Sequence, residues 1–323
     1  MSWRAARSAC DHLTQRLTHL LATLPRAVLR GLLCLASATL ASGGWAGSLN
    51  YCQGQIEPSA DTQDRLIQVA AVVKNELDRS GRTLALVARS GLALQRFDHR
   101  YSHAGVSLKA NPNAPWSVRQ LYYACDEQRP RIFDQGMSGF VMGANDPAEG
   151  YVSIMLLPVE ASTPLEHAAL DERQALRLLG SAYSANAYAF GQRYQNCNQW
   201  LAELLASAWG ALTTDDDARS PAQQWLQHEG YEPSIFAMGW RPLIWLAGLL
   251  PWLHTDDHPP DALSAAQFRV SMPHSIETFV HGRLPEATRI EVCYTARHIV
   301  VHRGWQPIAT GCQPGEADTL ITL

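Results

Sequence analysis

One helical pattern followed by a run of short, turn-punctuated strands constrains this chain more than any other feature. Asp61 to Arg79 carries Leu66, Ile67, Val69, Ala70, Val73 and Leu77 at helical spacing, and Ser80-Gly81 closes it. Thr83–Ala88, Ser102–Leu108, Trp116–Ala124, Arg131–Asp134 and Tyr151–Leu157 then read as strands. Turn loops such as Ser90-Gly91 and Lys109-Ala110-Asn111-Pro112-Asn113 separate them, so an antiparallel meander is expected. Leu165–Leu179 and Asn196–Trp209 return to helical spacing. The tail reads as β again, with strand-like segments in Val270–Val280 and Ile290–Gly304 about a turn at Gly282-Arg283-Leu284-Pro285. That order defines an α+β class.

The first 46 residues read as a secretory leader. Arg4, Arg7, Arg16, Arg26 and Arg30 form a basic n-region, Gly31–Ala41 an apolar h-region, and Ser42-Gly43-Gly44-Trp45-Ala46 a cleavage site after Ala46. The apolar run is shorter than the roughly 20 residues a span requires. The expectation is therefore release into the periplasm, with no transmembrane segment after the leader is removed. Five of the 26 basic residues and one of the 30 acidic ones leave with it, so the mature chain carries a net charge of −8. Such acidity argues against a nucleic-acid partner, and no polybasic segment is available for anionic lipid. Nothing in the chain fixes an oligomeric state.

The mature chain keeps Cys52, Cys125, Cys197, Cys293 and Cys312. Outside the cytosol cysteines tend to pair, and an odd count leaves one over. Cys293 and Cys312 flank a hairpin-like pair of strands, and Cys52 and Cys125 are candidates for a second bridge. Cys197 is then the free thiol, although four cysteines allow three connectivities.

Cys197 stands where the polar turn Tyr194-Gln195-Asn196 becomes an amphipathic helix. Unpaired N–H groups at a helix start favour the thiolate, and the residue's own N–H points toward where an oxyanion forms during acyl transfer. Upstream, His103 opens a strand in Tyr101-Ser102-His103-Ala104-Gly105-Val106, with small neighbours that leave room around its ring. A thiol and an imidazole make a nucleophile–base pair once a third polar group holds the second ring nitrogen.

These residues carry a resemblance. YSHAGVSL followed by YQNCNQWLAEL is similar to the circularly permuted branch of NlpC-type papain-like cysteine amidases, a group that includes lecithin–retinol acyltransferase-like proteins. Across the mature chain RYSHAGV, VRQLYYACDE, FDQG, YSANAY and YQNCNQW resemble the bacterial domain-of-unknown-function family 2145. The resemblance implies a permuted papain-like core over 47–230, antiparallel strands packed on helices, with a C-terminal helix and β-hairpin extension over 231–323. It also implies Cys197 as nucleophile and His103 as base, in hydrolysis or transfer at an amide or ester. An envelope peptide or a lipidated molecule would be the substrate. Asp134, in Ile132-Phe133-Asp134-Gln135-Gly136, is nearest to the group's third polar position, and Gln120 competes with it. Asn198 replaces the group's usual Ser or Thr. Tyr194 is a candidate cleft wall, and Gln195 or Asn196 a candidate oxyanion donor.

The chain has no H-E-x-x-H, paired C-x-x-C, G-x-S-x-G elbow or phosphate-cradling glycine loop, so no metal or organic cofactor is expected. His254-Thr-Asp-Asp-His258 reads as a solvated loop, and His298 and His302 share the exposed face of a strand. Pro242–Leu253, rich in Trp and Leu, reads as a buried helix on the core. The competing functional expectation is a catalytically silent papain-like module for envelope binding or assembly, with Cys197 a buried structural thiol.

Overall fold

The computed structural model describes residues 58–144, 146, 148–212, 217–239 and 250–323. The leader, Cys52 and most of the Pro242–Leu253 run lie outside them. Ser59 starts the first helix, α1 (Ala60–Arg79), by accepting the Thr62 N–H at 3.3 Å. The meander follows as β1 (Leu84–Arg89), β2 (His103–Leu108), β3 (Ser117–Ala124), β4 (Arg129–Gln135) and, after the short α2 (Met137–Met142), β5 (Gly150–Leu156).

Three helices come next: α3 (Val159–Leu170), α4 (Glu172–Arg177) and α5 (Cys197–Trp209). The single helix expected over Leu165–Leu179 is thus two. Asp171 divides them, because its carboxylate accepts the Arg173 and Gln174 N–H groups and so caps a new helix. Beyond α5 lie α6 (Arg219–His228), β6 (Ser234–Ala237), α7 (Pro260–Ser264), β7 (Gln267–Val270), α8 (Pro273–Arg283), β8 (Thr288–Tyr294), β9 (His298–Arg303) and β10 (Thr319–Thr322). The strand expected within Val270–Val280 is helix α8 for most of its length. Pro273 occupies its first turn, where a missing N–H costs nothing, and Glu277 is buried against the Ser153 hydroxyl.

Eight strands form one sheet in the order β10-β9-β8-β5-β1-β2-β3-β4, with every neighbouring pair antiparallel. The C-terminal strands belong to this same sheet, since β8 pairs with β5 from Gly150↔Tyr294 to Leu156↔Thr288. On one face α1 and α2 bury Leu66, Val69, Val73 and Phe140 against Ala85, Val87, Val118, Ile154 and Val292. The opposite face carries α3 and α5. Arg119, next to Val118 and so pointing the other way, donates to the Ala169 carbonyl of α3 at 2.6 Å. Trp209 of α5 donates to the Ala161 carbonyl of α3 at 2.9 Å.

Cys293 and Cys312 are bridged, with Cα atoms 5.7 Å apart, Cys125 is disulfide-bonded, and Cys197 is free. Two polar segments are less solvated than expected. His258 is buried with Nε2 2.7 Å from the Asn186 carbonyl, and Asp257 accepts the Tyr188 N–H at 2.9 Å. These side chains serve backbone groups of the 184–188 loop that would otherwise go unpaired. His302 bonds Asp318 at 2.6 Å, and His298 lies 3.0 Å from the Cys312 carbonyl, so neither simply faces water. Among the described residues no helix is long and apolar enough to cross a membrane.

Candidate active site

Helix α5 begins at Cys197 because Asn196 caps it, its Oδ1 accepting the Gln199 N–H at 2.8 Å. Behind that cap is a buried clamp. Glu203, fully buried on α5, receives Arg219 Nε at 2.9 Å and Nη2 at 3.1 Å, and the amides of Gln195 and Gln223 at 2.6 Å each. Arg219 also donates to the carbonyls of Gly191, Gln192 and Tyr194. The turn leading into Cys197 is therefore held from below.

The clamp also accounts for two of the sequence candidates. The Gln195 amide is used on Glu203 and the Leu178 carbonyl, and its oxygen accepts the Gly180 N–H. Asn196 Nδ2 lies 3.4 Å from the Ala185 and Ser271 carbonyls. Their side-chain donors are thus engaged away from the thiol. Tyr194 stacks on His254 with centroids 4.2 Å apart, so the 254–258 loop covers the approach to the turn.

The strand side is shaped by Gly105. A Cβ there would sit 2.7 Å from Val118 Cγ1 and 2.8 Å from the Arg119 carbonyl, so only glycine lets β3 pass so close. Paired residues of β2 and β3 begin at Val106, which leaves His103 and Ala104 beyond the ladder. The helix start docks there: Asn198 Nδ2 donates to the Ser102 carbonyl at 3.2 Å.

Cys197 is 7 % exposed. Burial pushes its thiol up to about 11, opposed by the Arg89 charge and by the backbone N–H groups of Asn198, Cys197 and Ala104. The thiol thus meets β2 one residue from His103. His103 is 9 % exposed, with its ring 5.2 Å from Tyr122 and 6.1 Å from Phe140, on the face that carries α2. Burial holds the imidazole down to about 3, Arg89 adds to this, and the Gln120 hydrogen bond opposes it. At neutral pH both groups are uncharged, and no hydrogen bond joins them.

Of the two candidates for the third position, Gln120 touches the histidine. Its Oε1 lies 2.6 Å from His103 Nε2, and its Nε2 donates to Gln135 Oε1 at 2.6 Å. The second bond orients the amide so that its oxygen faces the ring; His103 Nε2 then carries the proton and Nδ1 is the basic nitrogen. Asp134 points to the other face, where both its oxygens bind Arg119 at 2.7 and 2.6 Å.

Sequence reasoning missed Arg89 and Gln135. Arg89 is 5 % exposed and sits directly across the β1–β2 ladder from His103. It donates to the Gly143 and Ser90 carbonyls and, at 3.0 Å, to the Tyr122 hydroxyl. Its guanidinium lies over the Phe140 ring at 5.5 Å. Gly143 is required for this packing, since a Cβ there would approach Arg89 Nη2 to 2.5 Å. A strand-end arginine leaves no local signal, because its relation to His103 exists only in the paired sheet.

An antiparallel α+β scaffold that carries a free thiol at a helix start, one strand residue from a neutral histidine held by a glutamine, defines the class of the site. A family model described as an uncharacterised protein conserved in bacteria, domain of unknown function 2145, matches residues 76–280, and the chain belongs to that family. No curated protein and no solved structure matches the chain.

Proposed function

We propose that this protein is an exported thiol hydrolase or acyltransferase with a permuted papain-like core, acting on an amide or ester of a cell-envelope peptide or lipidated molecule. One observation carries the reading. Gln120 Oε1 lies 2.6 Å from His103 Nε2, a contact that leaves Nδ1 as the proton-accepting nitrogen, one residue from Ala104, whose N–H helps hold the thiol. In the reaction Cys197 sulfur bonds to the acyl carbon as its proton passes to His103 Nδ1. The imidazolium then gives that proton to the departing amine or alcohol. Water or a second acceptor, losing a proton to His103, takes the acyl group from sulfur, and that proton returns to the Cys197 thiolate. The N–H groups of Cys197 and Ala104 are the candidates to bind the oxyanion. Export to the periplasm rests on the leader read in residues 1–46.

A catalytically silent envelope module is the second reading. It draws on the neutral, buried thiol and imidazole and on the lack of a bond between them. An acylating probe, p-nitrophenyl acetate, separates the two. The first reading expects a stoichiometric release of p-nitrophenolate with acetyl on Cys197 by mass spectrometry, and at least about tenfold slower acylation in His103→Ala. Equal rates in the wild type and His103→Ala would sink it.

A further inference from the structure

Arg89 is a buried cation without an anion among the described residues. Among the described residues no carboxylate lies within salt-bridge distance of it, and its Nε is buried with no hydrogen-bond partner. Arg289 also keeps a buried nitrogen, Nη1, without a partner, but the other buried arginines have their anions: Arg119 is paired with Asp134, Arg219 with Glu203, and Arg289 with Glu277 and Glu291. The hydrogen bonds Arg89 makes, to two carbonyls and a tyrosine hydroxyl, solvate the guanidinium but do not neutralise it. They also fix where the charge stands. Tyr122 and Phe140, which touch or underlie Arg89, are the two rings that pack against His103. Arg89 itself pairs with His103, and its charge acts on the Cys197 thiol, which the N–H of the next residue, Ala104, helps hold.

We propose that Arg89 is the counter-charge of the site, a positioning residue whose guanidinium stabilises negative charge developing on the Cys197 sulfur. The proposal rests on the thiol-hydrolase reading and gives it the cation that an imidazole kept neutral does not supply. His103 then acts only as a proton acceptor and donor, while the fixed positive charge stays on β1 throughout. An unpaired buried guanidinium is the form such a group takes when its anion appears only during the reaction.

The test reads the thiol itself and needs no turnover. Iodoacetamide alkylation of Cys197 in the full chain, quantified on the Cys197 peptide by mass spectrometry, is followed from pH 6 upward in the wild type, Arg89→Lys and Arg89→Gln. The expected result is a rise of about one pH unit or more in the onset of alkylation for Arg89→Gln, and a smaller rise for Arg89→Lys. Superimposed profiles overturn the proposal. A second measurement needs no variant: the wild-type rate ratio of iodoacetate to iodoacetamide at Cys197, compared with that of glutathione. A fixed cation at the sulfur makes the ratio several-fold larger than for glutathione, and a ratio equal or smaller overturns the proposal. A protein that shows the alkylation shift but no His103-dependent acylation would retain the Arg89 assignment and lose the hydrolase.

Discussion

Two buried arginines, one against α5 and one on β1, are treated in opposite ways. Arg219, beneath α5, gives every guanidinium nitrogen a partner and has its charge matched by Glu203, itself saturated by two glutamine amides. Arg89, across the ladder from His103, has neutral partners only among the described residues, and one of its nitrogens finds no partner there. A closed network of the first kind fixes geometry, here the turn that delivers Cys197. An open charge of the second kind raises the energy of the resting fold and is useful only if an anion arrives. One region builds the site, and the other is electrically unfinished.

The largest expected effect breaks the closed network. Glu203→Leu leaves Arg219 charged and buried alone, and should cost about 3–5 kcal/mol of stability in guanidinium denaturation. Arg89→Met removes an unmatched charge together with its hydrogen bonds, and should cost roughly 1–2 kcal/mol. Equal losses would erase the contrast between the two arginines.

Acid titration is expected to act next most strongly. His103 is held down to about 3 in the fold, against the ordinary value near 6.5. Between those values the unfolded chain binds a proton that the folded chain refuses. The stability from burying the neutral ring is thus complete above about pH 6.5 and drains away as pH falls toward 3, by on the order of 1 kcal/mol per unit. Urea midpoints at pH 7, 5 and 4 should fall more steeply for the wild type than for His103→Gln. Parallel lines would mean that the histidine is not the group being kept neutral.

The smallest effect probes the tautomer. Gln120→Leu removes the acceptor at Nε2 and should slow p-nitrophenyl acetate acylation of Cys197 by about tenfold or less, with Asp134→Asn changing it little. A larger loss in Asp134→Asn would move the orienting role back to the acid.

Parts of this arrangement were legible in the chain because their signals are local. The Asn196 cap and the apolar face of Trp200, Leu201, Leu204 and Leu205 mark the start and side of α5 wherever it packs. The glycine of His103-Ala104-Gly105 marks a close approach that β3 makes. Helix α8 was not legible, since Ile276, Thr278, Phe279 and Val280 have strand preferences that only the packing of Glu277 on Ser153 and the Pro273 start override. Choosing between Gln120 and Asp134 required the strand parity of β3 and β4, in which adjacent residues face opposite helices. Arg89 needed the register of β1 on β2 as well.

The strand order has a consequence for how the chain can be cut. Strand β5 finds its second partner only in residues 288–294, well over a hundred positions later, while the family match ends at residue 280. A protein trimmed to 76–280 would lack β8, β9 and β10 and present the edge of Val152, Ile154 and Leu156 to other copies. It should sediment as aggregate where the chain from residue 58 to 323 stays monodisperse, and a soluble, folded 76–280 fragment would show that the sheet tolerates an open seam at its centre. The boundary that defines the family is therefore a poor place to divide the protein.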